Sequence, residues 1–313
     1  MHIAFLDRPT LPIPLPRPDF AHTWVDYDST APEYVVQHAA GAQIVISNKV
    51  RLSAQHIAEL PALQLIAACA TGVNNIDLDA CRARGIVVCN LRNYGANSVA
   101  EHALMLMLAL KRNLMHFTQA VQTGAWQQSP MFCLLSAEIS DLAGQTLAIC
   151  GQGDIGRRLA ALAQAFDMRV LAVERKEASP IRPGYTAFVD ALAQADVLSL
   201  HLPLDPHSQP LLSHAEFTLM KPSAIVINTA RGGLIDEAAL ATALQQGQLA
   251  GAGLDTLSEE PPKINPLLEI NHPNLIITPH IAWASQHAMQ TAARMLVDNL
   301  NAYVAGNPRN VVV

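Results

Sequence analysis

The sequence predicts an α/β fold with two doubly wound sheets of parallel strands, because short aliphatic runs alternate along the chain with helical patterns. Several of these runs are apolar at nearly every position, as strands are when helices cover both faces of a parallel sheet. The chain has 313 residues, about twice the roughly 150 residues of an average domain. Half of its residues are hydrophobic and only 15% are charged, which excludes a disordered chain.

The predicted strands fall into two groups, one in the first third of the chain and one in the block that follows. The first group is predicted at residues 2–6, 23–27, 43–47, 64–68 and 86–89. The second group is predicted at residues 147–150, 170–173, 197–200, 224–228, 250–254 and 275–278. For the six strands of the second group we expect the common doubly wound order 3-2-1-4-5-6.

Two long helices border the six-strand block. The first is predicted to begin at Ser98, whose hydroxyl would form a capping box with the glutamate three residues later, and to end at Gly124. The second is predicted from Gln286 to about Ala305, with one apolar face. The simplest organisation is one domain made of residues 1–98 and 286–313 and a second domain, residues 99–285, inserted in it.

Charge and apolar runs exclude several classes of partner. The 20 basic and 26 acidic residues give a net charge of −6 without a basic stretch, so we expect no nucleic acid. The longest purely apolar run, residues 103–110, is much shorter than the ~18 residues that span a bilayer. The N-terminus reaches Asp7 too early for a signal peptide.

Five cysteines form no C-x-x-C pair, so we expect free thiols, no metal site and a cytoplasmic location.

A glycine-rich loop follows the first strand of the second group. Gly151, Gly153 and Gly156 have the G-x-G-x-x-G spacing, and Asp154 and Ile155 open the helix behind it. The glycines would allow a tight turn, close approach of a pyrophosphate, and close packing of helix on strand. The helix N-terminus would then favour the anion. This predicts a dinucleotide-binding Rossmann domain, the alternative being a glycine turn in an unrelated α/β protein.

Glu174 bears on the choice of coenzyme. It lies 18 residues after Gly156, at the end of the next strand. A carboxylate there accepts a hydrogen bond from the ribose 2′-OH and repels a 2′-phosphate, which favours NAD. Arg175 and Lys176 follow at once and would bind the 2′-phosphate of NADP if Glu174 turned away, so NADP stays possible.

Three ionisable residues follow the last three strands of the block: Arg231, Glu260 and His280. Because ligands of doubly wound sheets bind beyond the carboxyl ends of the strands, we expect them to converge. Reduction of a 2-oxo acid needs a cation for the carboxylate and a proton donor for the forming alkoxide. The planar guanidinium of Arg231 offers a fork of N–H donors for the carboxylate and carbonyl oxygens, and His280 can donate a proton near neutral pH. Glu260 would hold the other imidazole nitrogen, with Glu259 as its rival.

These motifs resemble the D-isomer-specific 2-hydroxyacid dehydrogenase family over essentially the whole chain. The matching stretches are the loop 151–156, HLPL (201–204), MKPSAIVINTARGGLIDEAAL (220–240), GAGLDTLSEEPP (251–262) and TPHIAWAS (278–285). The resemblance implies that Arg231, Glu260 and His280 are the catalytic residues, with His280 as the acid and base. Each of the three, taken alone, could also be an ordinary surface residue.

The resemblance also assigns contacts to coenzyme and substrate. It implies that Asp255 holds the nicotinamide carboxamide, and that the remaining coenzyme contacts are Thr229 and Ala282 at the ring and His201 and Pro203 at the adenine. In the flavodoxin-like first domain it places the substrate carboxylate at Thr71, Gly72 and Val73, with Asn48 nearby. The glycine turn there could expose N–H groups to an anion, or it could be an ordinary turn capped by Asp77.

The subfamily can be narrowed further. Residues 93–112, 124–134 and 170–176 resemble glycerate dehydrogenases, also called hydroxypyruvate reductases, although Asp167 stands where that group usually has glycine. The expected function is NAD-dependent reduction of hydroxypyruvate, or glyoxylate, to D-glycerate, or glycolate. The alternatives are the same chemistry on a bulkier 2-oxo acid and an NAD(H)-sensing binding module without catalysis. Because the family packs the helix predicted at 99–122 against a second subunit, we expect a homodimer.

Overall fold

The computed structural model describes residues 1–205 and 208–313. The chain divides into two compact units. Unit 1 contains Met1–Gly95 and Ala284–Val313, so the two ends of the chain form it together. Unit 2 is the continuous segment Ala96–Trp283. The predicted boundaries, at residues 98 and 285, lie a few residues further along the chain.

Each unit contains one sheet, and within the described residues every strand pairing is parallel. The strands of unit 1 are β1 (His2–Phe5), β2 (Thr23–Asp26), β3 (Ile44–Ser47), β4 (Leu65–Ala68) and β5 (Val87–Cys89). Those of unit 2 are β6 (Thr146–Cys150), β7 (Arg169–Val173), β8 (Val197–Leu200), β9 (Ile225–Asn228), β10 (Gly251–Leu254) and β11 (Leu275–Ile277). The aliphatic runs therefore predicted the strands to within a residue or two.

Helices connect the strands. They are α1 (Val35–His38), α2 (Ala54–Ala58), α3 (Leu78–Ala83), α4 (Ala96–Lys111), α5 (Leu114–Gln122), α6 (Asp154–Ala165), α7 (Phe188–Gln194), α8 (His214–Phe217), α9 (Glu237–Gln245), α10 (Pro266–Glu269) and α11 (Gln286–Val304). Among the residues that the structure describes, no helix combines the length and apolarity that crossing a bilayer requires.

The sheet of unit 1 has the order β2-β1-β3-β4-β5, which is the flavodoxin-like doubly wound order. Every side chain of β3 and β4 is buried, as expected for central strands covered by helices on both faces. Helix α11 belongs to this unit, and Leu296 and Leu300 on its apolar face are fully buried. The hydroxyl of Ser285 caps the helix by accepting a hydrogen bond from the backbone N–H of Ala288 at 3.1 Å.

The sheet of unit 2 has the order β7-β6-β8-β9-β10-β11, so the predicted order 3-2-1-4-5-6 is wrong. The position beyond β7 is occupied by a single bridge between Val173 and Thr186 instead of a strand. A single bridge needs no aliphatic run, and the sequence around Thr186 contains none, so the pattern could not reveal it. The strand at Val197–Leu200 consequently takes the place beside β6. The prediction that β9, β10 and β11 are neighbours is confirmed.

The prediction of one long helix from Ser98 to Gly124 is also wrong, since the two helices α4 and α5 take its place. Asn113 separates α4 from α5 with a left-handed backbone (φ 50°), and its side-chain amide donates a hydrogen bond to the carbonyl of Glu138. Ser98 lies inside α4 and does not cap it, because its hydroxyl donates to the carbonyl of Ala282 at 2.6 Å. Both acceptors are distant in sequence, and helical periodicity contains no information about them.

The core of unit 2 lies on both faces of its sheet. Ala148 and Cys150 of β6 pack on one side, in a cluster with Phe217 and Leu240. Leu147 and Ile149 of the same strand pack on the other side, in a cluster with side chains of α4 and α6. This alternation explains why β6 is apolar at four successive positions, from Leu147 to Cys150.

Asp167, the departure from the expected glycine, lies just beyond the end of α6. Its backbone is left-handed (φ 57°), and its carbonyl accepts a hydrogen bond from Gly144 N–H at 2.9 Å. Aspartate is among the few residues besides glycine that adopt this conformation readily. The departure therefore preserves the turn that a glycine would form.

Candidate active site

The glycine-rich loop joins β6 to α6 through two close backbone contacts. Gly151 has φ 101°, and a Cβ atom on it would overlap the carbonyl group of His201. A Cβ atom on Gly156 would overlap the carbonyl oxygen of Gly151. Gly153 differs, because the space on its Cβ side is open. Two glycines thus allow close packing, and the third leaves room for a ligand against the backbone.

The N-terminus of α6 faces this open space. Gly153 occupies the N-cap position, and no side chain caps the helix there. Arg157 pairs with the carboxylate of Asp154 and donates to the carbonyl of Gln152 at 2.8 Å, which offsets the negative charge in the first turn. Asp154 and Ile155 therefore contribute backbone N–H groups to a helix end that favours an anion such as a pyrophosphate.

Three buried polar side-chain atoms follow the ends of neighbouring strands. They are His201 Nδ1 after β8, Thr229 Oγ1 after β9 and Thr256 Oγ1 after β10, and none has a hydrogen-bond partner in the described part of the chain. An unsatisfied buried polar atom costs about 1–3 kcal/mol, and a bound dinucleotide could satisfy these atoms. The residues present therefore fit a nicotinamide coenzyme. Sequence reasoning missed Thr256, although its place directly after Asp255 at a strand end was a usable signal.

His201 is held as a neutral side chain. Its Nε2 lies 2.8 Å from Ser199 Oγ, and burial lowers the pKa of the imidazole to about 4. Pro203 lies in the exposed loop that follows, where its carbonyl accepts a hydrogen bond from Ser208 Oγ at 3.1 Å. The surface that these residues present at the end of β8 is thus uncharged near neutral pH.

Glu174 is buried at the end of β7, and its carboxylate already has a partner. Arg182 donates to it from Nε at 2.5 Å and from Nη2 at 2.6 Å. These hydrogen bonds lower the pKa of the Glu174 carboxyl to about 2. Lys176, considered above for a 2′-phosphate, instead forms an ion pair with Glu216 at 2.9 Å. Sequence reasoning missed Arg182, because eight positions separate it from Glu174 in an irregular segment.

His280 and Glu260 form a hydrogen-bonded pair. His280 Nδ1 lies 2.7 Å from Glu260 Oε2, and because a carboxylate only accepts, Nδ1 carries the proton. The second oxygen, Oε1, accepts from the backbone N–H of Leu257 at 3.1 Å. Glu259, the rival partner, lies 3.9 Å from Lys263 Nζ instead. Among the described residues His280 Nε2 has no hydrogen-bond partner, so it is available to a ligand.

Asp255 supports the turn that carries His280. Its buried carboxylate accepts from the backbone N–H groups of Ile281 at 2.9 Å and Ala282 at 2.8 Å, and from the Thr278 hydroxyl at 2.5 Å. His280 itself has a left-handed backbone (φ 55°), a conformation that costs about 1–3 kcal/mol for a residue other than glycine. The hydrogen bonds of Asp255 offset this cost and fix the direction of the imidazole.

His102 of α4 extends this network. Its Nε2 lies 2.9 Å from Thr278 Oγ1 and 3.6 Å from Asp255 Oδ1. Sequence reasoning missed both His102 and Thr278. Their positions, inside a helix and at a strand end, were visible in the sequence, but their convergence depends on how α4 packs across the sheet.

Arg231 lies in a turn that the buried Asn228 shapes. The Asn228 amide donates to the carbonyl of Arg231 at 2.8 Å and accepts from Ala230 N–H at 3.0 Å. A Cβ atom on Gly232 would overlap the backbone of Leu257, so the loops after β9 and β10 are in direct contact. One guanidinium N–H donates to the carbonyl of Ala230 at 2.6 Å. Among the described residues this carbonyl is the one partner of the guanidinium, so four of its five N–H donors are open to a ligand.

The predicted substrate loops of unit 1 follow two paired strands, β3 and β4. The Asp7 carboxylate accepts from the backbone N–H groups of Asn48 at 2.9 Å and Lys49 at 2.6 Å. Asn90 donates to the carbonyl of Thr71 at 2.8 Å. Asp77 caps α3 through Ala80 N–H at 2.9 Å. The cap accounts for the start of the helix but not for the loop 71–73, whose role in binding the substrate carboxylate stays a prediction.

Metal ligands are a separate matter. In the described ranges 1–205 and 208–313, no group of three or more His, Cys, Asp or Glu side chains is arranged to hold a metal ion.

Comparison with known proteins gives consistent matches. The family described as D-isomer specific 2-hydroxyacid dehydrogenase, NAD binding domain, matches residues 104–282. Glycerate dehydrogenase of Methylorubrum extorquens is 45% identical over 312 residues, which are 99% of this chain and 98% of that protein. Hydroxypyruvate reductase of Blautia hydrogenotrophica is 34% identical over 91% of this chain and 90% of that protein. The crystal structure of TT0316 protein from Thermus thermophilus superposes with a TM-score of 0.87 at 32% identity, covering 100% of both chains.

Proposed function

The chain belongs to the D-isomer-specific 2-hydroxyacid dehydrogenase family, and on this premise we propose that it reduces hydroxypyruvate to D-glycerate with NADH. It is an oxidoreductase that acts on the CH–OH group of 2-hydroxy acids and binds a nicotinamide coenzyme. The observation that carries the catalytic assignment is the 2.7 Å hydrogen bond between His280 Nδ1 and Glu260 Oε2. The activities named for these two relatives support hydroxypyruvate as the substrate, and in our proposal glyoxylate is a smaller alternative substrate.

The chain's own residues supply binding and proton transfer. A bound nicotinamide coenzyme supplies the hydride. In our proposal Arg231 binds the carboxylate and the carbonyl oxygen of the 2-oxo acid with its planar fork. His280 Nε2 donates a proton to that oxygen as C2 is reduced, and Glu260 stabilises the imidazolium from which the proton leaves.

We assign three further contacts as part of the same proposal. Asp255 supports the turn of His280 from one side and would hold the nicotinamide carboxamide, while Thr229 and Ala282 would line the site of the nicotinamide ring. Backbone N–H groups at Thr71, Gly72 and Val73, with Asn48 nearby, would bind the substrate carboxylate in unit 1. Gly151, Gly153, Gly156, Glu174, His201 and Pro203 would line the rest of the dinucleotide site.

A panel of 2-oxo acids tests the substrate. The purified protein is assayed with NADH and NADPH on hydroxypyruvate, glyoxylate, pyruvate, phenylpyruvate and a branched 2-oxo acid. We expect kcat/KM to be highest for hydroxypyruvate, by about tenfold or more over the bulky acids, which is the scale on which a pocket resolves small changes in side chain. Equal or better turnover of the bulky acids would contradict the substrate assignment. Tight NADH binding without oxidation of NADH on any acid would favour a sensing module.

An apolar surface on unit 2 supports a homodimer. Phe132 is 92% exposed and Leu135 is 72% exposed, and both follow α5. We call this the α4–α5 surface; its other exposed apolar members are Met105, Leu114, Met115, Val121, Trp126, Met131 and Ile139. Nine exposed apolar side chains between residues 105 and 139 are a concentration that a subunit interface would cover. We propose that a second copy of this chain covers it.

The oligomeric state tests this proposal. Light scattering during size-exclusion chromatography should give a mass of twice 33.7 kDa at micromolar concentration. The double substitution Phe132→Ser and Leu135→Ser should shift the protein toward the monomer, because it removes apolar area from the interface. Ile264→Ser is the matched control, since Ile264 is 82% exposed outside this surface. A wild-type monomer, or a dimer unaffected by the double substitution, would exclude the α4–α5 surface as the interface.

The state of the thiols bears on where the protein works. All five cysteines are free, and four of them are buried. Free thiols are usual in a reducing compartment. We therefore propose that the enzyme works in the cytoplasm.

A further inference from the structure

The segment after β7 brings a second charged residue to the end of that strand. The backbone N–H of Glu174 donates to the carbonyl of Thr186 at 2.9 Å, and Thr186 N–H donates to the carbonyl of Ala172 at 2.8 Å. Tyr185 N–H closes a turn onto the carbonyl of Arg182 at 3.0 Å. The chain therefore returns alongside β7 and places Arg182 beside Glu174.

The carboxylate of Glu174 has no acceptor capacity to spare. It receives Arg182 Nε at 2.5 Å, Arg182 Nη2 at 2.6 Å, the backbone N–H of Arg182 at 3.3 Å and the backbone N–H of Arg175 at 2.8 Å. An ionised carboxylate offers about four lone-pair positions, so these four donors fill them. The side chain of Glu174 is only 2% exposed, which leaves it little access to water.

The guanidinium of Arg182 is held on its other side by an aromatic ring. Its Cζ lies 3.9 Å from the centroid of Tyr185, within the range of a cation–π interaction. The Arg182 side chain is nevertheless 53% exposed. Its remaining N–H donors can therefore reach a ligand while the fork stays on Glu174.

This pairing changes what a ribose would meet at the end of β7. A bare carboxylate accepts a hydrogen bond from the 2′-OH of NAD and repels the 2′-phosphate of NADP. A carboxylate saturated by Arg182 does neither, because the 2′-OH must displace a donor and the 2′-phosphate meets a guanidinium. The preference for NAD that an unpaired carboxylate would give is therefore weakened, because NAD loses a free hydrogen-bond acceptor and NADP is no longer repelled.

We propose that Arg182 sets the coenzyme preference of this enzyme. By occupying and neutralising the carboxylate of Glu174, it allows NADPH to bind in addition to NADH. The inference rests on the proposed function only in that the coenzyme occupies the end of β7. Arg182 is then a specificity-determining residue. The effect of Glu174 on coenzyme binding depends on this partner, which lies outside the glycine-rich motif.

Direct binding measurements test the proposal without turnover. The dissociation constants of NADH and NADPH are measured by coenzyme fluorescence for the wild type, Arg182→Met and Arg169→Met. Arg182→Met should raise the ratio Kd(NADPH)/Kd(NADH) about ten- to hundredfold, the range that one hydrogen bond to a charged group is worth. Arg169→Met is the matched control, because Arg169 is exposed at the opposite end of β7, where its guanidinium donates to Gln194 Oε1 at 2.8 Å. It should leave the ratio unchanged.

Two further variants keep the test decisive. If Arg182→Met does not fold, Arg182→Lys, which keeps the charge but loses the fork, should shift the ratio in the same direction by less. Glu174→Gln should shift it in the opposite direction, toward NADPH. An unchanged ratio in a folded Arg182 variant overturns the inference alone. Failure of the wild type to bind either coenzyme would overturn the proposed function and this inference together.

Discussion

Replacement of His280 by alanine is expected to lower kcat by about 10²–10⁴-fold, the usual contribution of a positioned general acid. The imidazole is hydrogen-bonded through Nδ1 to Glu260 at 2.7 Å, so only Nε2 can serve the substrate. Without it, water must protonate the forming alkoxide. The affinity for NADH should stay within a factor of a few, because none of the proposed coenzyme contacts includes the imidazole.

Steady-state kinetics with hydroxypyruvate and NADH binding by fluorescence check this result side by side. His287→Ala is the matched control, since His287 is exposed on α11 and has no proposed role. Turnover near the wild-type value in His280→Ala would show that the assignment of the proton donor is wrong. Loss of NADH binding together with turnover would show that the turn had collapsed, and then His280→Gln, which preserves bulk and a polar end, should still lack most of the activity.

The substitution Arg231→Lys is expected to lower kcat/KM for hydroxypyruvate by about ten- to hundredfold or more, although it preserves the charge. The carbonyl of Ala230 already takes one guanidinium donor at 2.6 Å, and this contact orients the fork. The ammonium group of lysine is not planar and cannot present two parallel N–H donors. It therefore cannot bind the carboxylate and the carbonyl oxygen of the substrate at once. The loss should fall mainly on KM.

Initial rates over a range of hydroxypyruvate concentrations separate KM from kcat. Arg294→Lys, at an exposed position on α11, is the control for the exchange itself and should behave as the wild type. Unchanged KM and kcat in Arg231→Lys would exclude the carboxylate-binding role. A fall in kcat alone would place the contact of Arg231 in the transition state and not in the bound substrate.

Much of the fold could be predicted because its signal is local. A strand buried on both faces is apolar at successive positions, and the first three residues of β3 and of β9, all aliphatic and buried, show this directly in the sequence. The glycine-rich loop is local in the same sense, since the spacing of Gly151 and Gly156 reflects contacts with backbone that any such turn makes. The placement of Arg231, Glu260 and His280 after three consecutive strands required only that these strands be neighbours.

The failures share a different cause. The place beyond β7, where the predicted order puts a third strand, is taken by the single bridge between Val173 and Thr186. A bridge needs only one residue on each side, so it leaves no hydrophobic pattern in the sequence. The helix break at Asn113 depends on the carbonyl of Glu138, and the hydroxyl of Ser98 bonds to the carbonyl of Ala282 instead of capping. In each case a partner distant along the chain overrides a local preference.

The sequence by itself determined the fold class, the two groups of strands, the dinucleotide loop and the types of residue that follow β9, β10 and β11, where the proposed catalytic residues lie. Each of these is a matter of composition and spacing within about one turn or strand. Only the tertiary structure decided the partners. It pairs His280 with Glu260 and not with Glu259, turns Asp255 toward the backbone of Ala282, and pairs Glu174 with Arg182. The physical reason is that a hydrogen bond depends on angstrom-scale distances between loops, and these distances exist only once the sheet order has placed the strand ends side by side.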